Sequence, residues 1–152
     1  MVKSKALEFG EWGGGGKTTV VTHIYNRLLE NNSLFSHVYW VTISKESNIR
    51  ELQDAIAKKF NIDFSKEGED NQRSALLFNA LQKLKKFVII LDDMWEVYEP
   101  KLVGIPLGVD RGKLIITTRS SNICERMGCQ EIIKVESLSI VEAWELSNKT
   151  LG

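Results

Sequence analysis

Apolar residues recur along the chain at two different spacings, which predict alternating helices and strands. Apolar positions three and four residues apart, with a capping pair at Ser139 and Glu142, predict helices over 18–30, 49–60, 77–84 and 139–151. Runs of β-branched and aromatic residues predict strands over 37–43, 87–91, 114–118 and 132–135. Loops are expected at 65–71 and 93–112. The alternation favours an α/β fold of three layers, in which helices flank a mostly parallel sheet.

Two of the predicted strands, 87–91 and 114–118, lack the polar alternation of a half-exposed strand. Such strands are buried on both faces, which is typical of the interior of a parallel sheet. The first is followed by Asp92 and Asp93, and the second by Arg119. Because ligands bind at the carboxyl ends of parallel strands, we expect these charged residues at one edge of the sheet.

The composition narrows the classes of protein without identifying one. The 152 residues suit one domain, and a hydrophobic fraction of 43% is too high for a wholly disordered chain. Because 20 basic residues balance 20 acidic ones, the chain lacks the positive charge that favours binding to nucleic acid or anionic membranes. No apolar run approaches the roughly 20 residues that span a membrane. Cys124 and Cys129 cannot form a disulfide framework, so we expect a reduced, cytoplasmic setting.

Glycine is concentrated in one short segment. Five of the 11 glycines lie between Gly10 and Gly16, and a lysine and two threonines follow at once. This is the end of the phosphate-binding pattern G-x-x-x-x-G-K-[ST], in which backbone N–H groups surround a phosphate. The lysine reaches the terminal phosphates, and the hydroxyl after it binds magnesium. The predicted phosphate-binding residues are Gly13, Gly14, Gly15, Gly16, Lys17, Thr18 and Thr19.

The start of the loop departs from the pattern, because Glu11 occupies the position of its first glycine. Either Gly13 ends the preceding strand and the loop is two residues short, or Glu11 and Trp12 lie inside the loop. A short ring has fewer N–H donors, and a carboxylate inside it repels phosphate. The segment before the loop should be an apolar strand, yet it carries Glu8. We therefore hypothesise that residues 1–12 are altered from the native sequence, which sequencing of the native gene would test.

The charged residues at the predicted strand ends complete a candidate site. A carboxylate at Asp92, beside the hydroxyl of Thr18, would hold magnesium and its water ligands. Asp93 could orient an attacking water or accept its proton, which makes it the candidate catalytic residue. The guanidinium of Arg119 could contact a terminal phosphate and report its presence.

Several stretches together resemble the NB-ARC domain, the nucleotide-binding domain of plant intracellular immune receptors with leucine-rich repeats. The matching stretches are GGGGKTT (13–19), FSHVYWVTIS (35–44), KKFVIILDDMW (85–95), VGIPL (103–107), KLIITTRS (113–120) and VESLSIVEAWEL (135–146). They span nearly the whole chain in the order of the family. Trp95 at the end of LDDMW resembles the coiled-coil class of these receptors.

The resemblance implies a P-loop NTPase fold that holds ADP at rest and exchanges it for ATP on activation. Lys17 would contact phosphate, Thr18 and Asp92 would hold Mg²⁺, Asp93 would support slow hydrolysis, and Arg119 would sense the γ-phosphate. The family's GLPL and methionine-histidine-aspartate motifs are not present in residues 1–152, so the resemblance implies a partial domain. Its partners would be the coiled-coil, the remaining ARC segments and the leucine-rich repeats of the full-length receptor.

Two other functions stay open at this point. One is a turnover P-loop ATPase or kinase, which would need an acceptor site or a lid; steady-state turnover would separate it from a switch. The other is a fragment whose damaged phosphate loop binds nucleotide weakly or not at all, and which acts as an interaction module. Whether the chain is an enzyme is left open, and a slow ATPase is the most that the sequence supports.

Overall fold

The computed structural model describes residues 3–10, 16–30, 35–64, 70–84, 86–108 and 112–136. Its strands are β1 (Ser4–Glu8), β2 (His37–Thr42), β3 (Phe87–Met94), β4 (Lys113–Thr118) and β5 (Glu131–Lys134). Its helices are α1 (Gly16–Glu30), α2 (Ile49–Lys59), α3 (Asp70–Leu84), α4 (Pro100–Val103) and α5 (Ser121–Arg126).

The five strands form one sheet in the order β2-β3-β4-β1-β5, and every neighbouring pair is parallel. All the carboxyl ends of the strands therefore meet at the same edge, which we call the carboxyl edge. The connection from β1 through α1 to β2 passes over two other strands, whereas β2, β3 and β4 are neighbours in space as well as in sequence. The prediction of a parallel sheet is confirmed.

Apolar clusters on both faces of the sheet make the fold three layers deep. On one face, α1 packs against alternate residues of the strands; this cluster includes Leu7, Val20, Val21, Ile24, Leu28, Val88, Ile90 and Ile115. The other face carries α2, α3, α4 and α5; its cluster includes Ala6, Leu52, Ile56, Leu77, Leu81, Ile89, Leu91, Val103, Ile116 and Ile123. The alternation follows from the two-residue period of strand side chains. The three-layer α/β prediction is confirmed.

Strand β1 forms although its sequence is less apolar than that of β3 or β4. Ser4 and Lys5 are buried, and Lys5 forms an ion pair with Glu131 of β5 at 3.7 Å. Burial lowers the pKa of Lys5, and the neighbouring Glu131 opposes this shift. Among the described residues, the buried Oε1 of Glu8 has no hydrogen-bond partner, which costs about 1–3 kcal/mol. The hypothesis that residues 1–12 are altered stays a prediction.

Several element boundaries differ from the sequence predictions, two of them by three residues or more. Strand β3 does not end at Leu91 but continues through both aspartates to Met94, because a bulge lets it keep pairing with β4. Asp70 and Asn71 belong to α3 rather than to a loop.

Two short helices were not predicted, and one predicted helix cannot be assessed. Helix α4 lies inside the predicted loop at 93–112. Helix α5 connects β4 to β5, and the side chain of its N-cap, Ser120, accepts a hydrogen bond from the N–H of Ile123 at 3.4 Å. The predicted helix at 139–151 lies outside the described residues.

A buried arginine joins three of the helices on the α2 face. Arg73 of α3 is 4% exposed, and its Nε donates to Oε1 of Gln53 at 3.1 Å. Its Nη2 donates to the carbonyl of Arg50 at 3.1 Å and to the carboxylate of Asp54. The amide of Gln53 in turn donates to the carbonyl of Val103 in α4 at 3.0 Å. We call these residues the Arg73 network; it fixes α2, α3 and α4 to one another.

Candidate functional site

The carboxyl edge holds the charged residues that the sequence singles out. Lys17 is the second residue of α1, which follows β1; Asp92 lies near the end of β3; and Arg119 comes directly after β4. Because the three strands are parallel, their ends lie at the same edge of the sheet. The arrangement matches the one expected of ligand sites in such sheets.

The phosphate-loop residues are described in part. Gly13, Gly14 and Gly15 lie outside the described residues, whereas Gly16 begins α1. Lys17 is half-buried, and Thr18 and Thr19 are exposed. Since all three belong to the first turn of α1, they lie where a helix presents its unpaired N–H groups and its partial positive charge.

A β-bulge separates the two aspartates of β3. Leu91 pairs with Ile116 and Met94 pairs with Thr118, so two residues of β3, Asp92 and Asp93, lie opposite one residue of β4. Asp93 has a φ of 66°, in the left-handed region that aspartate tolerates better than most residues. A bulge of this kind turns the bulged side chains in different directions.

Asp92 is held from both sides by neighbouring strands. The indole Nε1 of Trp40 in β2 donates to its Oδ2 at 3.0 Å, and the hydroxyl of Thr117 in β4 donates to its Oδ1. The same hydroxyl accepts a hydrogen bond from the backbone N–H of Asp93 at 2.8 Å. A carboxylate has about four lone-pair positions, so each oxygen of Asp92 keeps one for a further ligand.

The donor chemistry around Asp92 fits magnesium. No group of three or more His, Cys, Asp or Glu side chains that could hold a metal occurs within the part of the chain that the structure describes. Magnesium is commonly bound by one or two carboxylates together with phosphate oxygens and water, rather than by a full set of protein ligands. Asp92 and the hydroxyl of Thr18 would supply the oxygen ligands of such a site.

Asp93 and Arg119 line a separate cleft of about 510 Å³. Other residues that line it are Trp95, Glu96, Thr118, Asn122 and Arg126. The cleft lies beside α5, because Ile123 of that helix also lines it, whereas Trp40 and Asp92 lie on the face that carries α1. The structure therefore brings Asp93 and Arg119 together, and it places Asp92 in different surroundings.

Four residues near the candidate site were not predicted from the sequence. Thr117 and Trp40 contact Asp92 directly, whereas Asn122 and Arg126 of α5 line the cleft with Arg119. Strand alternation offered a signal for Thr117, which immediately precedes Thr118 and Arg119 at the end of β4. No sequence signal marked Asn122 and Arg126, because the short helix that carries them lacks a long apolar repeat.

The two cysteines are weak nucleophiles. Both are free thiols; Cys124 is buried, and Cys129 lies beside Ser4, at the amino end of β1. Burial raises the pKa of each thiol to about 11, with the carboxylate of Glu8 adding to the shift at Cys124. Neither thiol is therefore appreciably ionised at neutral pH.

Among the described residues, no helix combines the length and the apolar character needed to cross a membrane.

Comparison with known proteins gives a consistent result. The NB-ARC domain family matches residues 4–152. A probable disease resistance protein of Arabidopsis thaliana, At5g43730, is 38% identical over 142 residues, which cover 92% of this chain and 17% of that protein. The Arabidopsis disease resistance proteins RPS5 and RFL1 are 38% and 36% identical over 144 residues, and each match covers 92% of this chain and 16% of the relative. The chain thus spans about a sixth of the length of these relatives.

Proposed function

The chain belongs to the NB-ARC family of nucleotide-binding modules, and from that premise we propose that it is the ADP/ATP-binding switch of an intracellular immune receptor. The observation that carries the proposal is the carboxyl edge, where a lysine, a fixed carboxylate and a guanidinium lie at or beyond the carboxyl ends of three parallel strands. A cytoplasmic location is part of the proposal. So is contact with the coiled-coil, the remaining ARC segments and the leucine-rich repeats of a full-length receptor.

Each residue of the site has a proposed role. The backbone of Gly13, Gly14, Gly15 and Gly16, with Lys17 and Thr19, would bind the phosphates. The hydroxyl of Thr18 and the carboxylate of Asp92 would hold Mg²⁺, which offsets the repulsion between that carboxylate and the phosphates. Asp93 would orient water for slow hydrolysis, and Arg119 would contact the γ-phosphate.

The cleft gives this switch a physical basis. A ligand shifts a conformational equilibrium only through contacts that differ between the two states. ATP differs from ADP by the γ-phosphate, and Arg119 lies in the same cleft as Asp93, the residue proposed to act on that phosphate. Sensing and hydrolysis would therefore occur in one place, and loss of the γ-phosphate would remove the contact with Arg119.

The decisive test is titration of the unmodified chain with ADP by calorimetry in the presence of Mg²⁺. We expect saturable binding, and we expect Lys17→Ala to weaken it at least about tenfold, because a charge-assisted hydrogen bond contributes about 1.5–3 kcal/mol. Lys58→Ala, at an exposed lysine near the end of α2, is the matched control and should bind as the unmodified chain does.

Absence of binding by the unmodified chain would contradict the proposal and favour the interaction module that Glu11 suggests. With ATP in place of ADP, fast and repeated release of phosphate would instead favour a turnover ATPase. A switch should release phosphate no faster than it exchanges nucleotide.

A further inference from the structure

Two residues without an assigned role hold the carboxylate proposed to bind magnesium. Trp40 lies in β2 and Thr117 in β4, on opposite sides of β3, and each donates a hydrogen bond to a different oxygen of Asp92. The carboxylate is therefore connected to both neighbouring strands. Such outer partners usually fix the orientation of a metal-binding side chain.

Trp40 also connects Asp92 to the helix that carries Thr18. In the register of the two strands, Trp40 lies opposite Ile90, so its indole reaches diagonally to Asp92 two residues further along. Its ring packs against Tyr25 of α1, with 5.8 Å between the ring centroids. One side chain thus contacts both β3, which carries the carboxylate of Asp92, and α1, which carries the hydroxyl of Thr18.

Thr117 forms hydrogen bonds with both residues of the bulge. Its hydroxyl donates to the carboxylate of Asp92 and accepts from the backbone N–H of Asp93, and its side chain is buried. The hydroxyl therefore fixes the carboxylate and the bulged backbone at once. A valine of the same shape would remove both hydrogen bonds.

We propose that Trp40 and Thr117 are positioning residues that aim the carboxylate of Asp92 at a magnesium ion bound with nucleotide phosphates. This inference rests on the proposed function. Its signature is specific: the two residues should govern how much Mg²⁺ strengthens nucleotide binding, and not nucleotide binding in general. A residue that only stabilised the fold would change binding with and without Mg²⁺ alike.

The experiment measures the dissociation constant of ADP by calorimetry, once with Mg²⁺ and once with EDTA, for the whole chain and its variants. Trp40→Phe keeps an aromatic ring against Tyr25 but removes the N–H, and Thr117→Val removes the hydroxyl. Each should reduce the strengthening by Mg²⁺ roughly 10- to 100-fold, the usual cost of losing such a partner. Affinity in EDTA should stay within about twofold of the unmodified chain, since neither side chain is proposed to touch nucleotide.

Two variants serve as references. Thr117→Ser keeps the hydroxyl and should retain most of the Mg²⁺ effect. Tyr39→Phe removes a polar atom from the residue next to Trp40, on the opposite face of β2, where it packs against Phe60, and it should bind as the unmodified chain does. Thermal unfolding without nucleotide identifies any variant that fails to fold, and if Thr117→Val does so, Trp40→Phe decides the question.

The outcomes separate this inference from the proposed function. Failure of the unmodified chain to bind ADP overturns both. ADP binding that Mg²⁺ does not strengthen overturns the positioning roles and leaves nucleotide binding standing. The inference alone is also overturned if the chain binds ADP with a Mg²⁺ effect that Trp40→Phe leaves intact, or if Trp40→Phe weakens binding equally in Mg²⁺ and EDTA.

Discussion

Asp92 and Asp93 are adjacent in the chain, yet they occupy different surroundings. The carboxylate of Asp92 lies on the α1 face and accepts hydrogen bonds from Trp40 and Thr117. Asp93, turned by the bulge, lines the cleft with Arg119 beside α5. The difference shows how one extra residue in a strand can direct two identical side chains to different surroundings, and the proposed roles differ in the same way: Asp92 would hold a cation, and Asp93 would face the reacting phosphate.

The same substitution at the two aspartates should give different results, and this is the largest effect that we expect. Asp92→Asn removes the charge proposed to bind magnesium and should reduce the strengthening of ADP binding by Mg²⁺ at least about 100-fold. Asp93→Asn should leave that ratio unchanged and slow the release of phosphate from ATP. Calorimetry and a single-turnover phosphate assay would test this pair, and equal loss of the Mg²⁺ effect in both variants would contradict the separation.

A substitution far from both aspartates should lower the free energy of unfolding without changing the effect of Mg²⁺ on ADP binding. Arg73→Met removes the centre of the Arg73 network and leaves the buried Oε1 of Gln53 without its donor, which should lower the free energy of unfolding by about 3 kcal/mol. Urea denaturation would measure the loss. Below the unfolding transition, the effect of Mg²⁺ on ADP affinity should equal that of the unmodified chain; a changed ratio would mean that the site depends on the α2 face.

Arg119, which lines the cleft, should contribute to the binding of ATP but not to the binding of ADP. Arg119→Gln should weaken ATP binding about tenfold, because one charge-assisted hydrogen bond to the γ-phosphate is lost, and should leave ADP binding unchanged. Arg126→Gln changes the other arginine of the cleft and serves as the comparison. Competition between ATP and ADP for the chain would measure both variants. Equal weakening of ADP and ATP by Arg119→Gln would exclude a sensing role.

The smallest effect concerns the backbone of the bulge. Asp93→Gly should change the free energy of unfolding by less than about 1 kcal/mol, since glycine adopts a φ of 66° without strain. Asp93→Val should be less stable than Asp93→Gly by about 1–2 kcal/mol, because a β-branched residue is disfavoured there. Urea denaturation of the two variants would measure the difference. Equal stability would contradict the prediction and show that the strand can give up the bulged conformation at little cost in free energy.

The sequence predicts the parts of the site that depend on local chemistry. A glycine-lysine-threonine end before an amphipathic run places Lys17 and Thr18 at a helix start, and an unbroken apolar run places Asp92 near the end of a central strand. Together with Arg119 after the next run, these signals indicate the carboxyl edge. Each depends on consecutive residues and on the periods of helices and strands, so no tertiary information is needed.

The bulge and its consequences depend on pairing that the sequence does not reveal. Whether β3 continues past Leu91 is decided by its register against β4, and the same register brings Thr117 beside Asp92. Helix α5 has six residues, too few to show a helical period, so its contribution to the cleft was missed. Strand β1 also buries Lys5. The cost of burying this charge is offset by its ion pair with Glu131, a residue that is distant in sequence.

The Arg73 network determines how the helices that it joins can move. Because one guanidinium bonds to three positions on α2 and, through Gln53, connects to α4, separating any one of these helices would leave buried polar groups without partners. Their amide protons should therefore exchange with deuterated solvent as one cooperative unit, with a common opening free energy. When the sheet changes conformation, α2, α3 and α4 would therefore move together as one rigid unit rather than as independent helices.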